Sequence, residues 1–159
     1  MWQQSQLAVV RVALVGDEPS NAASEAVAFV YAVFTEGPPP EDALRAGLAD
    51  DFVYEDRRSG WKFPDGDAES YPKVLLSIWE TGADGQPRFG MNTLAVRGER
   101  FAAISVVIDY GNGMVMESIH IYGLDARASL LQCDIDFDVD DVDGAIAELD
   151  RLHALSVTS

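Results

Sequence analysis

Four strand-like segments joined by short turns fill the second half of the sequence, and they limit the possible folds more than any other feature. The segments are rich in β-branched and aromatic residues, and they span residues 88–96, 100–110, 114–122 and 129–137. Glycine occurs in every connection between them. Because turns this short join neighbouring strands, consecutive strands pair antiparallel. The sequence therefore predicts an antiparallel sheet of these four strands.

Helical patterns precede and follow the strands. The first helix begins near Ser20, a typical N-cap residue, and its predicted buried face carries Ala26, Phe29, Val30, Val33 and Phe34. A short helix reaches residue 48, a brief strand covers 52–54, a third helix runs from about 70 to 81, and Asp140 caps the last helix. This order predicts an α+β fold, with helices packed on a strongly curved antiparallel sheet.

Length and composition favour one folded domain. The chain has 159 residues and is 48% hydrophobic, which suffices for a single core, and we assign the domain to residues 19–155. Residues 1–18 form an N-terminal extension whose β-branched stretch, 7–15, is predicted to be a strand. That strand could pair at a sheet edge, pair with a second copy of the chain, or be a remnant of a longer ancestral chain.

The charge of the chain argues against nucleic acid and membrane surfaces as partners. There are 27 acidic and 11 basic side chains, so the formal net charge is −16 and phosphate groups are repelled. Residues 7–15 are too short to span a bilayer and are interrupted by Arg11. The single cysteine, Cys133, lies in a strand-like run and is predicted to pack in the core of a protein from a reducing compartment. These features predict a cytoplasmic location.

The order of elements and one motif resemble a known superfamily. Residues 48–56 read Leu-Ala-Asp-Asp-Phe-Val-Tyr-Glu-Asp, a helix end followed by an acidic pair and a strand closing on Glu-Asp. Over about residues 20–137 the chain resembles the nuclear-transport-factor-2-like superfamily, in particular its SnoaL-like and ketosteroid-isomerase-like members. The resemblance implies a cone-shaped α+β barrel with an apolar cavity, and homodimers formed through the outer face of the sheet. Members include enzymes and binding modules.

Asp56 is the first catalytic candidate that this resemblance implies. In the isomerase-like branch, the aspartate that closes the motif abstracts a proton from the ligand, and burial in an apolar cone favours such a base. Arg57 and Arg58 follow Asp56 where that branch usually has a proline, so a structural ion pair is the alternative. Phe29 occupies the position that we align with the expected hydrogen-bond donor, and it has no donor group, which argues against steroid-type isomerisation.

His120 is the second catalytic candidate. Strand alternation places it on one face with Ser118 and Tyr122, although either face of that strand could be the concave one. In a pocket it could transfer a proton near neutral pH, together with Asp56, but a packed strand histidine is the commoner case. The aromatic residues predicted to bind a ligand are Tyr54, Trp61, Tyr71, Trp79 and Tyr122.

Neither a metal nor a cofactor is predicted. The acidic series from Asp134 to Asp143 lacks the glycine and the glutamate of a calcium-binding loop, since Val139 and Ala145 stand in their places. Asp134, Asp136 and Asp138 are instead predicted to form the outward half of an alternating strand. Cysteine and histidine metal spacings and glycine-rich phosphate loops are absent from the sequence.

Two functions remain open from the sequence. The favoured one is binding of a small apolar molecule in the cone without chemistry, or a role as an association module. The other is a cofactor-free isomerase, cyclase or hydrolase in which Asp56 is the general base, assisted by His120 or a tyrosine.

Overall fold

The computed structural model describes residues 18–82 and 87–158. These residues form four helices: α1 (Ala22–Phe34), α2 (Glu41–Ala46), α3 (Tyr71–Thr81) and α4 (Val142–Thr158). They also form six strands: β1 (Leu48–Asp56), β2 (Gly66–Asp67), β3 (Arg88–Arg97), β4 (Phe101–Asp109), β5 (Val115–Leu124) and β6 (Leu131–Asp138). The predicted strand at residues 7–15 lies outside the described residues. Within the described part of the chain, none of the helices has the length and apolar character needed to cross a membrane.

The six strands form one mixed sheet in the order β2-β1-β6-β5-β4-β3. The predicted antiparallel pairing of β3, β4, β5 and β6 is confirmed, because each consecutive pair is a hairpin. β1 joins this meander by pairing parallel with β6. Register irregularities interrupt the β1–β6, β3–β4 and β5–β6 pairs, and such irregularities bend and twist strands. The α+β class is as predicted, and the described strands form a sheet that does not close into a barrel.

Helices cover both faces of this sheet. On the inner face, α1 and α3 pack against alternate residues of β4, among them Ile104, Val106 and Ile108. On the outer face, α4 packs through Ala145 and Leu149. Its partners there are Phe101, Ala103, Ile119, Ile121, Ile135 and Phe137. The homodimer through the outer sheet face stays a prediction, and a second copy would have to contact α4 or the part of the face beside it.

The first helix differs from its prediction in cap and in buried face. Asn21, and not Ser20, is the N-cap, and it forms a capping box with Ser24. The Asn21 amide also donates to the carbonyl oxygens of Gly98 and Phe101, both at 2.9 Å, which ties the start of α1 to the β3–β4 turn. This anchor buries Val27 and leaves Phe29 72% exposed. The predicted stripe was therefore wrong at Ala26, Phe29, Val30 and Val33, which are exposed, and right at Phe34, which is buried.

The first strand is longer than predicted. β1 contains nine residues, Leu48–Asp56, and not only residues 52–54, and it includes Leu48, which we had placed in the second helix. Gly47 ends α2, and the backbone N–H of Leu131 donates to its carbonyl oxygen at 3.0 Å. Pairing with β6 extends β1 in both directions from its apolar centre. Because β6 is distant from β1 in the sequence, the residues of β1 alone do not indicate how far the strand extends.

Candidate functional site

An apolar cavity lies between α1, α2, α3 and the inner face of the sheet. Its volume is about 440 Å³. Its walls are mostly aliphatic and aromatic, and the larger apolar side chains are Val27, Phe29, Val30, Phe34, Leu44, Leu48, Leu75, Leu124 and Leu131. Three tyrosines, Tyr31, Tyr71 and Tyr122, also line it. Because these are the main polar groups of the lining, one part of an otherwise apolar cavity is able to hydrogen-bond to a ligand.

Tyr31 and Tyr122 form a hydrogen-bonded pair in this cavity. Tyr31 comes from α1 and Tyr122 from β5, and their hydroxyl oxygens are 3.0 Å apart. The Tyr122 hydroxyl also lies 3.2 Å from Nδ1 of His120, and the two rings stack at a centroid distance of 5.4 Å. Tyr122 therefore connects the cavity to a group that lies behind it.

Behind the cavity, His120 contacts two carboxylates. Its Nδ1 is 2.9 Å from Asp134 Oδ1 and 2.7 Å from Asp136 Oδ1. The strand register produces this contact, because His120 of β5 lies directly opposite Asp136 of β6, and Tyr122 lies opposite Asp134. All three side chains are buried. We call His120, Asp134 and Asp136 the His-Asp-Asp cluster.

In each member of the cluster, the side-chain oxygen or nitrogen that does not contact the other members contacts a hydroxyl group. Tyr71 donates to Asp134 Oδ2 at 2.5 Å, and Tyr54 donates to Asp136 Oδ2 at 2.8 Å. The hydroxyl of Ser118 lies 2.8 Å from Nε2 of His120. These contacts fix the orientation of the imidazole ring and of both carboxylates.

Burial and mutual contact shift the acid–base properties of the cluster. Burial disfavours the charged form of His120, but the Asp136 and Asp134 carboxylates outweigh this effect and raise its pKa to about 10. Burial, and next the charge of Asp134, raise the pKa of Asp136 to about 7, although His120 acts in the opposite direction. Both shifts favour the protonated form of the group concerned.

The tyrosines around the cluster stay protonated. Burial raises the pKa of Tyr31, Tyr54, Tyr71 and Tyr122 above the usual range, and the neighbouring carboxylates raise it further. Near neutral pH each hydroxyl is thus a hydrogen-bond donor. A ligand oxygen in the cavity would meet donors, and not phenolate anions, at Tyr31 and Tyr122.

The prediction that Asp134 and Asp136 point outward was wrong. They are 1% and 3% exposed and face the inner side of the sheet. Alternation correctly separated them from Ile135 and Phe137, but that apolar half packs against α4 on the outer face. Asp138 is half-buried at the end of the strand, where its carboxylate accepts from the backbone N–H of Ser59. The inner position of this acidic pair is what creates the cluster.

Asp56 lies in the ion pair that the sequence offered as the alternative. Arg58 donates to its two carboxylate oxygens at 2.8 and 2.6 Å, and the backbone N–H of Phe63 donates to Oδ2 at 2.8 Å. The Asp56 side chain is fully buried and that of Arg58 is 6% exposed. With both oxygens engaged in this way, the geometry of Asp56 is that of a structural residue holding the loop after β1.

The remaining predicted ligand residues fall into two groups. Tyr71 and Tyr122 line the cavity, and Tyr54 lies behind it on Asp136. Trp61 is 70% exposed and meets Phe63 edge to face, whereas Trp79 packs in the core beside Phe34 and Phe89. Neither tryptophan is among the described residues that line the cavity.

Sequence reasoning missed Tyr31, Asp134 and Asp136. Tyr31 follows Ala23 and Val27 at intervals of four residues, which is a helical spacing, but the more apolar stripe through Phe29 concealed it. The acidic pair looked like a solvated strand face. The available signal was the apolar face of the last helix. That face must pack on one side of the sheet, and it takes the apolar half of β6, so the acidic half faces the other side.

A second cavity lies on the outer side of the sheet, between α4 and strands β1 and β6. Its volume is about 410 Å³, and it is lined by apolar side chains such as Ile135 together with the charged groups of Asp51, Glu55, Arg100 and Arg151. It is thus more polar than the cavity beside the His-Asp-Asp cluster.

Known proteins resemble this chain in structure and not in sequence. No model of a protein family matches it, and no curated protein matches its sequence. An LEH-like epoxide hydrolase of M. tuberculosis aligns with a TM-score of 0.50 and 19% identity, covering 87% of this chain and 96% of the other. AusH from Aspergillus nidulans aligns with a TM-score of 0.55 and 8% identity, covering 76% of this chain and 86% of AusH. The structure "Rd1NTF2_05 with long sheet" aligns with a TM-score of 0.51 and 13% identity, covering 72% of this chain and 95% of the other.

These similarities concern the fold. They confirm the nuclear-transport-factor-2-like architecture that the sequence resemblance implied. At such low identity they assign neither an activity nor a ligand.

Proposed function

We propose that this chain, with its nuclear-transport-factor-2-like fold, binds a small, uncharged and largely apolar molecule in the inner cavity. An oxygen atom of that molecule accepts a hydrogen bond from Tyr31 or Tyr122. The observation that carries this proposal is the pair of hydroxyls, 3.0 Å apart, in an otherwise apolar lining. Apolar walls with a few placed polar groups are typical of small-molecule sites.

Size and charge narrow the class of ligand. A volume of about 440 Å³ lies within the range of known ligand cavities, roughly 300–1,000 Å³. Asp134 and Asp136 lie directly behind the tyrosines, and the formal net charge of the chain is −16. Both features disfavour a carboxylate or phosphate in the cavity, so a neutral ketone, epoxide or alcohol fits best.

A second candidate function is chemical conversion of the bound molecule by isomerisation, cyclisation or hydrolysis. The hydrogen-bonded path from Tyr122 to His120 and on to Asp134 favours it, because this path joins the cavity to ionisable groups. Tyr122 would meet the reacting oxygen, and Asp56 would keep its structural place beside Arg58. One structural relative is an epoxide hydrolase, which makes epoxides a reasonable first class of compound to test.

A thermal-shift screen with neutral ketones, epoxides and alcohols tests the binding proposal. A compound at about one hundred times its Kd stabilises the protein by about 2.7 kcal/mol, which raises the Tm by several degrees. We expect Tyr122→Phe to reduce this shift, since the apolar contacts remain but a hydrogen-bond donor is lost. Tyr110→Phe is the matched control, because Tyr110 is a buried tyrosine that is not among the described residues lining the cavity.

The same compounds separate the two candidate functions when their products are followed by mass spectrometry. Binding without product supports the first function. Product formation that Tyr122→Phe abolishes and Tyr110→Phe retains supports the second. A screen in which no neutral compound shifts the Tm contradicts both.

A further inference from the structure

Three atoms with metal-ligand chemistry converge behind the inner cavity. Nδ1 of His120, an oxygen of Asp134 and an oxygen of Asp136 all lie within 4.8 Å of one another. Nδ1 is 2.9 Å from Asp134 Oδ1 and 2.7 Å from Asp136 Oδ1. Ligand bonds of about 2.0–2.2 Å place neighbouring ligand atoms roughly 3 Å apart around one ion. The spacing in the cluster is thus that of adjacent ligands.

One of these atoms lacks a hydrogen bond. Asp136 is 3% exposed, yet its Oδ1, although 2.7 Å from His120 Nδ1, has no hydrogen bond of good geometry to any residue that the structure describes. A proton on Nδ1 of His120 can be donated to one carboxylate at a time, and the hydrogen bond of good geometry is the one to Asp134 Oδ1. A buried carboxylate oxygen without a donor is unfavourable. A cation at the point of convergence would contact Nδ1 and both carboxylate oxygens at once.

The opposite atom of each side chain is held by a hydroxyl. Ser118 contacts Nε2 of His120, Tyr71 donates to Asp134 Oδ2, and Tyr54 donates to Asp136 Oδ2. In the tautomer whose Nε2–H donates to Ser118, the Nδ1 lone pair faces the two carboxylates. Outer hydrogen bonds that orient the ligands in this way are characteristic of metal sites. The outer partners are therefore already in place for all three ligands.

We propose that His120, Asp134 and Asp136 bind one first-row divalent metal ion of the Zn²⁺ type. The ion would displace the proton that His120 carries near neutral pH, and the resulting neutral imidazole and two carboxylates carry two negative charges, which such an ion balances in a buried site. One nitrogen and two oxygen ligands suit Zn²⁺, whereas Ca²⁺ takes six to eight oxygens and Mg²⁺ keeps several waters. The Tyr122 hydroxyl, 3.2 Å from Nδ1, lies on the cavity side, where water or a ligand oxygen would complete the coordination. This site goes beyond the proposed function and does not depend on it.

Metal titration of the full chain, after treatment with EDTA and dialysis, tests the site. We expect about one Zn²⁺ per chain by calorimetry, and visible d–d absorption when Co²⁺ is added instead. Tyr54→Phe removes only an outer hydrogen bond and should weaken Zn²⁺ binding about 10–100-fold. Asp136→Asn removes a ligand and should weaken binding by a larger factor. In both variants the Co²⁺ spectrum should change or disappear.

Two control variants separate this site from the general acidity of the chain. Asp140→Asn removes an exposed carboxylate just beyond β6, and Tyr110→Phe removes a hydroxyl elsewhere in the core, so both should bind Zn²⁺ as the wild type does. Because the wild-type titration needs no variant to fold, failure to take up one Zn²⁺ or Co²⁺ overturns the proposal directly. Uptake that persists unchanged in Asp136→Asn and Tyr54→Phe overturns it as well. Loss of ligand binding in the thermal-shift screen leaves these readouts unaffected.

Discussion

Asp56 and Arg58 lie two positions apart at the end of β1, and their side chains form an ion pair inside the protein. The residue type and the resemblance both favoured Asp56 as a base, but the choice between base and ion pair depends on where Arg58 points. That direction depends on the path of the following loop, which the sequence does not determine locally. The sequence could therefore name the two possible roles of Asp56, base or ion-pair partner, but it could not decide between them.

Replacing Arg58 tests the structural role of this pair. We expect Arg58→Ala to lower the free energy of unfolding by about 3–5 kcal/mol in urea denaturation, because the buried Asp56 charge loses its partner. The more solvent-accessible pair Arg97–Asp150 is the control, and Arg97→Ala should cost less than about 1 kcal/mol. If Arg58→Ala costs no more than Arg97→Ala, the Asp56 ion pair is not structural and its reading as a base regains support.

The cluster residues show the same division between local and distant information. His120, Tyr54, Tyr71 and Tyr122 could be named as candidates from the sequence, because the chain has only two histidines and five tyrosines. Asp134 and Asp136 could not, since an alternating acidic strand face looks the same whether it meets solvent or an inner cavity. The deciding contact is with His120, and it depends on the register of β5 and β6.

At the scale of the element, local turns and distant packing contributed differently. The hairpins from β3 to β6 were predictable because short glycine-containing turns connect them. The parallel pairing of β1 with β6 was not, because the intervening chain contains α3 and four other strands. The side of the sheet that α4 covers was the decisive unknown, because it determines which half of β6 faces inward.

The position of α4 leads to a stability prediction. Leu149 is fully buried against the outer face, so Leu149→Ala should lower the free energy of unfolding by about 2–5 kcal/mol. Leu155, on the same helix, is 55% exposed, and Leu155→Ala should change it by no more than about 0.5 kcal/mol. Urea denaturation of both variants measures the difference. Equal costs would show that α4 does not cover the sheet as described, and the inward orientation of Asp134 and Asp136 would lose its reason.

At the scale of the whole molecule, the sheet separates two cavities with different chemistry. The inner one is apolar and contains the Tyr31–Tyr122 pair, with the His-Asp-Asp cluster behind it. The outer one lies beside α4 and has charged walls. The α+β class and the cone could be predicted because they depend on element order, whereas the contents of the cavity depend on which face each strand turns inward. The fold was accordingly more predictable than the site.

The most direct test of the central claim is a crystal structure of the protein in complex with the first neutral compound that raises its Tm. The structure predicts that the compound occupies the inner cavity, with an oxygen atom within hydrogen-bond distance of the Tyr31 or Tyr122 hydroxyl. Electron density for the compound in the outer cavity beside α4, or in the inner cavity with its oxygen directed away from both tyrosines, would contradict the claim.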